Sequence, residues 1–363
     1  MKEKGFPVMK RAFWKSCKKN TATLLLAAAV CLTGCGSQGE MTKAGMEQIT
    51  ALDYSAALAS FEGAIEKGED QELAYRGEGM AYLGLSDYEN AIAAFEKALS
   101  MAGMFPSDTE ADINYYLATA QYKAGQKQEA ADTLSAIAGI RDKQPEVYFL
   151  RGSIEMEMGN DQAAVEDLNL ALYYDDHSTD MTIRVYRVFD ENGKKDEGRG
   201  YLTNAIEERL STMSDYEKGM IYYYLEDYEN ARDNLEAYRA TGNNDTDTLL
   251  MLGRTYEQLG DSNYAASLYQ KYLDENEPNA VIWNQLGLCK LEAGQYAEAL
   301  SAFNSGLETE NNQSVLQELQ YNRIVASEYS GDFQQAAGWM REYLNSYPDD
   351  TAAQREMSFL QTR

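Results

Sequence analysis

Few side chains in this chain could carry covalent or metal chemistry. It holds a single histidine, His177, which excludes any catalytic or metal site built on two imidazoles. His177 stands beside Asp175 and Asp176, but a metal there would lack further imidazole or thiolate ligands. It reads as a solvated loop histidine. Cys289 is a candidate nucleophile, since a thiolate attacks electrophilic carbon and sulfur. In the register given below, however, it aligns with Ala81, Ala120, Ile154, Val188, Ile221, Thr255 and Ala326. Such a column is a core column, and Cys289 reads as a buried structural thiol. Asp and Glu pairs are abundant, as exposed helix faces of an acidic chain would be. No Gly-rich phosphate loop follows a predicted strand, because no strand is predicted. These residues point away from an enzyme, and no cofactor or metal is expected.

Cys35 is placed differently. Lys10, Arg11, Lys15, Lys18 and Lys19 form a basic stretch, and an apolar run follows from Ala22 to Leu32. That run is shorter than the ~20 residues of a bilayer span, and it fits the apolar region of a secretory signal peptide. The segment ends Leu32-Thr33-Gly34-Cys35, which resembles the lipobox of bacterial lipoproteins. The resemblance implies diacylglyceryl transfer to the Cys35 sulfur, then cleavage before Cys35. The small Thr33 and Gly34 would let the peptidase close on the backbone. Residues 1–34 are then a lipoprotein signal peptide, and 35–39 a lipidated cysteine with a short tether. Met9 opens a more typical signal sequence than Met1. Once 1–34 are removed only Cys35 and Cys289 remain, so with Cys35 acylated no intramolecular disulfide can form. Stability must come from packing.

The elements that do the packing show first in composition. Acidic residues outnumber basic ones, 59 to 32, for a formal charge of −27. Loss of 1–34 takes away seven basic residues and one acidic, leaving −33. Phosphate affinity needs clustered Lys and Arg, so neither a nucleic-acid binder nor a protein lying on an anionic membrane fits. Only five prolines occur among 363 residues, and alanine is plentiful, which favours helix. At 44% hydrophobic the chain can bury a core.

The segment Tyr82-Leu83-Gly84-Leu85-Ser86-Asp87-Tyr88-Glu89-Asn90-Ala91-Ile92-Ala93-Ala94-Phe95-Glu96-Lys97-Ala98-Leu99 resembles the second half of a tetratricopeptide repeat, a helix–turn–helix of 34 residues. Sliding that register along the chain places repeats near 38–71, 72–105, 111–144, 145–178, 179–211, 212–245, 246–279, 280–313 and 317–350. Their columns stay in phase. The second helix carries Ala57, Ala91, Ala130, Ala164, Gly198, Ala231, Ala265, Ala299 and Ala336, small enough for close helix approach. Four residues on stands a bulky knob: Phe61, Phe95, Leu134, Leu168, Leu202, Leu235, Tyr269, Phe303 and Met340. The first helix carries Gly45, Gly79, Ala118, Gly152, Tyr186, Gly219, Gly253, Gly287 and Ile324. Gly125, Gly159, Gly193, Gly260, Gly294 and Gly331 share a turn column suited to a left-handed residue. The expectation is an all-α, right-handed α-solenoid of about nine repeats over 40–363, with a cap helix at 350–361 N-capped by Asp349 or Asp350.

Departures from the columns mark weak points. Repeat five has Tyr186 and Gly198 at small-residue positions and the polar stretch from Asn192 to Gly200, so it reads as the weakest interface or a hinge. Repeat one is degenerate in its first helix. Met104 to Asp108 reads as a lengthened loop.

In tetratricopeptide arrays the first helices line a concave groove, and the resemblance implies partner binding there. Here that face offers Arg76, Met80, Tyr115, Tyr122, Phe149, Met156, Tyr216, Met220, Tyr223, Arg254 and Tyr321 as anchors. Clamps for acidic tails combine Lys, Asn and Arg. Here Arg76, Arg187 and Arg254 are scattered over distant repeats, so an apolar or basic protein or peptide segment fits better. The reading that follows is a lipid-anchored interaction scaffold at the outer face of the bacterial cell membrane, serving envelope assembly, secretion or wall turnover. The alternative is a ligand-capture lipoprotein delivering an oligopeptide or glycan to a transporter. Such proteins usually alternate strands and helices in two lobes, a pattern this chain lacks.

Overall fold

A computed structural model describes residues 39–101, 103, 107–141, 143–309 and 315–362. The signal peptide, Cys35 and all of the tether but Gly39 lie outside the described residues. Every regular element among those described is helical. In chain order they are α1 (Glu40–Thr50), α2 (Tyr54–Lys67), α3 (Gln71–Gly84), α4 (Tyr88–Leu99), α5 (Asp108–Lys123), α6 (Lys127–Ile140), α7 (Pro145–Met158), α8 (Asp161–Tyr174), α9 (Thr179–Glu191) and α10 (Lys195–Arg209). There follow α11 (Asp215–Tyr224), α12 (Tyr228–Ala240), α13 (Thr246–Gln258), α14 (Ser262–Glu275), α15 (Ala280–Glu292), α16 (Tyr296–Glu308), α17 (Leu316–Ser330), α18 (Phe333–Ser346) and α19 (Thr351–Leu360). No helix among them is long and apolar enough to cross a membrane.

The chain divides into two compact units, one ending at Arg209 and the next beginning at Leu210. The N-terminal unit holds five helical hairpins, α1–α10. The C-terminal unit holds four, α11–α18, followed by α19. Within each unit every helix packs on the one before it and the one after it.

Local chemistry starts and stops the helices where the repeat register requires. Asp53, Asp87, Asp227, Asp261 and Asp332 each accept a hydrogen bond from the backbone N–H three residues on, capping the second helix of their hairpins. Ser107 with Glu110, and Ser214 with Glu217, form capping boxes at α5 and α11. The six turn glycines all sit at positive φ, between 74° and 86°. Three repeats lack that glycine, and there Leu52, Ser86 and Glu226 occupy the same left-handed position at φ 60–63°. Asp350, not Asp349, caps α19, accepting from the N–H groups of Ala352 and Ala353.

The core is a knob-into-glycine pairing found in six of the nine hairpins. All nine knobs are fully buried, as are the eight alanines four residues before them. A Cβ at Gly79 would lie 2.6 Å from the Phe95 ring, and one at Gly287 2.4 Å from the Phe303 ring. The knob therefore occupies the space a side chain on the first helix would need. Repeat five reverses this. Tyr186 is bulky where a glycine is usual, and the opposing Gly198 leaves room for this helix, its own Cβ position lying 2.8 Å from the Phe189 Cβ and 3.2 Å from the Tyr186 ring. The two departures fit each other, and both residues are buried. Repeat nine pairs Ile324 with the flexible Met340, both fully buried.

Repeat one does form its first helix. Its N-terminus is held from outside: Glu69, in the turn before α3, accepts from Met41 N, Thr42 N and Thr42 Oγ1 at 3.0–3.3 Å. Those backbone bonds hold the Glu69 carboxyl below its usual range. Of the loop expected at 104–108, residues 104–106 lie outside the described residues, Ser107 is a cap and Asp108 begins α5. His177 is exposed in the turn before α9.

Candidate partner-binding faces

Successive first helices touch one another within each unit: α1 with α3, α3 with α5 and α7 with α9, then α11 with α13, α13 with α15 and α15 with α17. Side chains that reach from one first helix to the next decide what each row offers a partner.

In the N-terminal unit these bridges are ion pairs. Arg76 of α3 holds Asp112 of α5 at 2.5–2.6 Å, with its guanidinium 5.6 Å from the Tyr116 ring centroid. Arg184 of α9 binds Glu146 of α7 with two parallel hydrogen bonds, at 2.6 and 2.7 Å, and stacks 4.1 Å over Phe149. Tyr122 donates to Glu157, which Lys127 also holds at 3.0 Å. Tyr115, Tyr122 and Phe149 are half-buried. Burial and then the neighbouring Glu146 push the Tyr115 hydroxyl up. Arg187 pairs within its own helix with Glu191 at 3.6 Å. The cations of this row are answered by carboxylates of the same unit, which argues against a clamp for acidic tails.

Two expected anchors of this unit are not surface residues. Met80 is 4% exposed and Met156 3%. Met156 lies in the core with Tyr148, Leu168 and Phe189, and Lys194 Nζ approaches its sulfur at 3.6 Å. Unbranched Met fills gaps between layers, and neither side chain is offered to a partner.

In the C-terminal row neutral donors meet two of the carboxyls. Glu257 of α13 accepts from the Tyr269 hydroxyl at 3.0 Å and from the Cys289 thiol at 3.4 Å. Asn284 of α15 donates to Glu318 of α17 at 3.3 Å and accepts from Asn322 at 2.9 Å. Burial pushes both Glu257 and Glu318 up, against the opposing charge of Arg254. Burial and Glu257 push the Cys289 thiol up as well, which opposes formation of the thiolate that a nucleophile needs. Tyr223 lies beside Arg254 and meets the edges of Tyr224 and Tyr228, with centroids 5.5 and 5.6 Å away. Tyr216 packs on Tyr238 at 5.3 Å, and Tyr321 on Tyr343 at 5.6 Å. Tyr216, Met220, Tyr223, Arg254 and Tyr321 are half-buried, each with a part left accessible.

Sequence reasoning missed Arg184, which lies one position off the expected face. Its signal was spacing. Arg76–Asp112, Arg184–Glu146 and Asn284–Glu318 are separated by 36, 38 and 34 residues, one repeat plus zero to four. Among the described residues no group of three or more His, Cys, Asp or Glu is disposed to hold a metal ion.

Comparison with known proteins agrees with this architecture. A TPR repeat-containing protein of Methanocaldococcus jannaschii is 22% identical over 247 residues, 63% of this chain and 41% of its own length. Superkiller protein 3 of Schizosaccharomyces pombe is 28% identical over 103 residues, 28% of this chain and 7% of its own. The chain thus spans less than half the length of either curated relative. A tetratricopeptide repeat protein crystal structure from Parabacteroides merdae is 16% identical, with 70% of this chain and 99% of that one covered at a TM-score of 0.45. Three tetratricopeptide-repeat family models match the chain, over 82–154, over 145–177, and over 42–109, 216–280, 250–315 and 285–351. The last alone takes in more than half of the residues, and the chain belongs to the tetratricopeptide-repeat family.

Proposed function

We propose that this protein is a lipid-anchored, extracytoplasmic scaffold at the outer face of a bacterial membrane, binding peptide or helical segments on its rows of first helices. The observation that carries the binding role is the C-terminal row. There Tyr216, Met220 and Tyr223 on α11 and Tyr321 on α17 are each only half-buried, on the first and last of the four first helices of the unit. Half-exposed aromatic and Met side chains on a fixed backbone bind apolar segments at little entropic cost. The acidic balance of the chain favours segments that also carry Lys or Arg. Lipobox-like Leu32-Thr33-Gly34-Cys35 supports the anchor, and the scaffold reading places partners in envelope assembly, secretion or wall turnover.

A photo-crosslinking residue at Tyr223 tests the binding face, against the same residue at Tyr173, which is 68% exposed on the second helix α8. Adducts in envelope fractions are expected from position 223 and not from 173. Equal labelling at both overturns the assignment. Cys35→Ala tests the anchor separately: continued uptake of labelled fatty acid by that variant refutes it.

A further inference from the structure

Repeat nine breaks two core columns of its first helix. At the fourth and seventh positions of the register, repeats seven and eight carry Leu249 with Leu252 and Trp283 with Leu286. The three leucines are buried. Repeat nine carries Gln320 and Arg323 there, one turn apart on α17. Gln320 Oε1 and Arg323 Nε are both shut off from solvent, and among the described residues neither atom has a hydrogen-bond partner. The Arg323 guanidinium lies 4.1 Å over the ring of Trp339 on α18, and both residues are half-buried. Burial pulls the guanidinium below its ordinary value, and the opposing charge that acts on it, Glu342, forms no ion pair with it. Repeat four shows the same register with its charge answered. There Arg151 takes the place of Arg323 and Asp167 that of Trp339, and the two carboxylate oxygens accept from Arg151 Nε and Nη2 at 2.6 Å each. Arg323 thus carries a stacked, partly desolvated charge, with an indole at the position where repeat four has the carboxylate.

We propose that Arg323 and Trp339 form a docking point for a carboxylate supplied by an acidic side chain of a partner protein. A guanidinium stacked on an aromatic ring is held in one plane, so its N–H groups are set for the two parallel bonds that a carboxylate accepts. A partly buried cation without a counter-charge is costly, and a carboxylate brought by a partner relieves that cost on binding. The pair joins α17 to α18 within one hairpin, so the site is separate from the rows of first helices proposed above to take apolar and basic segments. At a formal charge of −27 the chain as a whole repels acidic surfaces, so docking here depends on this one local cation.

Fluorine NMR of the full chain labelled with 5-fluorotryptophan reads the site, because only three tryptophans occur and Trp339→Phe identifies the resonance of Trp339. The probes are a blocked peptide carrying two glutamates, its glutamine counterpart and sodium acetate, each at ~0.15 M total ionic strength. The Trp339 resonance is expected to shift saturably with the glutamate peptide and to stay in place with the glutamine one. Arg323→Met should weaken binding of the glutamate peptide about tenfold or more, through loss of the charge-assisted bonds. Trp339→Asp supplies the carboxylate from within, as Asp167 does in repeat four, and should abolish peptide binding measured by calorimetry. An unmoved resonance, equal shifts with both peptides, or full affinity in Arg323→Met overturns the proposal. So does a response to acetate that the glutamate peptide does not exceed, which assigns the site to free carboxylates. If Arg323→Met fails to fold, Trp339→Asp and the paired peptides still decide.

Discussion

The two units use one backbone plan and draw on different donors to bridge their rows of first helices. Across the N-terminal row, Arg76 meets Asp112 and Arg184 meets Glu146, charge against charge. In the C-terminal unit the Tyr269 hydroxyl and the Cys289 thiol meet Glu257 and the Asn284 amide meets Glu318, carboxyls whose ionisation burial opposes. The knob-into-glycine core is indifferent to this choice, since Phe95, Phe303 and the other knobs are equally buried in both units. Packing fixes the fold, and the rows are free to differ. The difference teaches that one repeat array can present two chemically distinct faces to partners.

The largest effect should come from breaking an N-terminal bridge. Arg184 combines a bidentate pair with a guanidinium stacked on Phe149, and its side chain is 24% exposed. Arg184→Ala should cost about 2 kcal/mol locally, from one charge-assisted pair and one cation–π contact. Arg184→Met, which keeps the stem, should recover part of that. Repeat arrays do not unfold as one unit, so exchange protection of α7 and α9 is the measurement. Unchanged protection in both helices would mean that the pair contributes nothing, and the contrast between the rows would lose its first leg.

The second test addresses the C-terminal row and its pH dependence. Glu257 has a carboxyl raised above its ordinary 4.5 in the folded unit. Its contribution is full at pH below that value and is lost as pH rises through the raised one. Glu257→Gln keeps an acceptor for Tyr269 and Cys289 but cannot ionise. The variant should be more protected than the parent in α13 and α15 at pH 8, and should match it at pH 4. A Gln variant weaker than the parent at every pH would mean that the carboxylate is wanted in its charged form.

Much of this was legible in the sequence, and the reason is periodic. Small-residue and knob columns report contacts within a hairpin, where neighbours in space recur at fixed spacing, so their burial could be read directly. The turn glycines could be read for the same reason. Tyr186 and Gly198 of repeat five fit each other as a facing pair, which columns read singly do not show, and the division between the two units falls at the end of that repeat, between Arg209 and Leu210. Met80 and Met156 sit at face positions by register, yet burial depends on what neighbouring repeats place over them. The Arg184–Glu146 bridge joins two repeats at a spacing of 38 where Arg76–Asp112 has 36, so repeat spacing hints at it but no single column records it.

The smallest effect concerns the turns, which both units share. Glu226 in the C-terminal unit and Leu52 in the N-terminal unit hold φ 63° and 60° at a column where six other repeats use glycine. A side chain there costs roughly 1–2 kcal/mol through the clash of Cβ with the following carbonyl. Glycine removes the clash but frees the unfolded chain, returning about 0.4–1 kcal/mol. Glu226→Gly and Leu52→Gly should therefore each stabilise their own hairpin by about 0.5–1 kcal/mol. Gly260→Ala, at φ 83°, should destabilise by a similar amount. Local exchange in α11 and α12, and in α1 and α2, measures the gains. Because this strain lies in the backbone, the two units should respond alike. A gain confined to one unit would show that the units differ in their turns as well as in their rows, and would move the contrast from side-chain chemistry to the backbone itself.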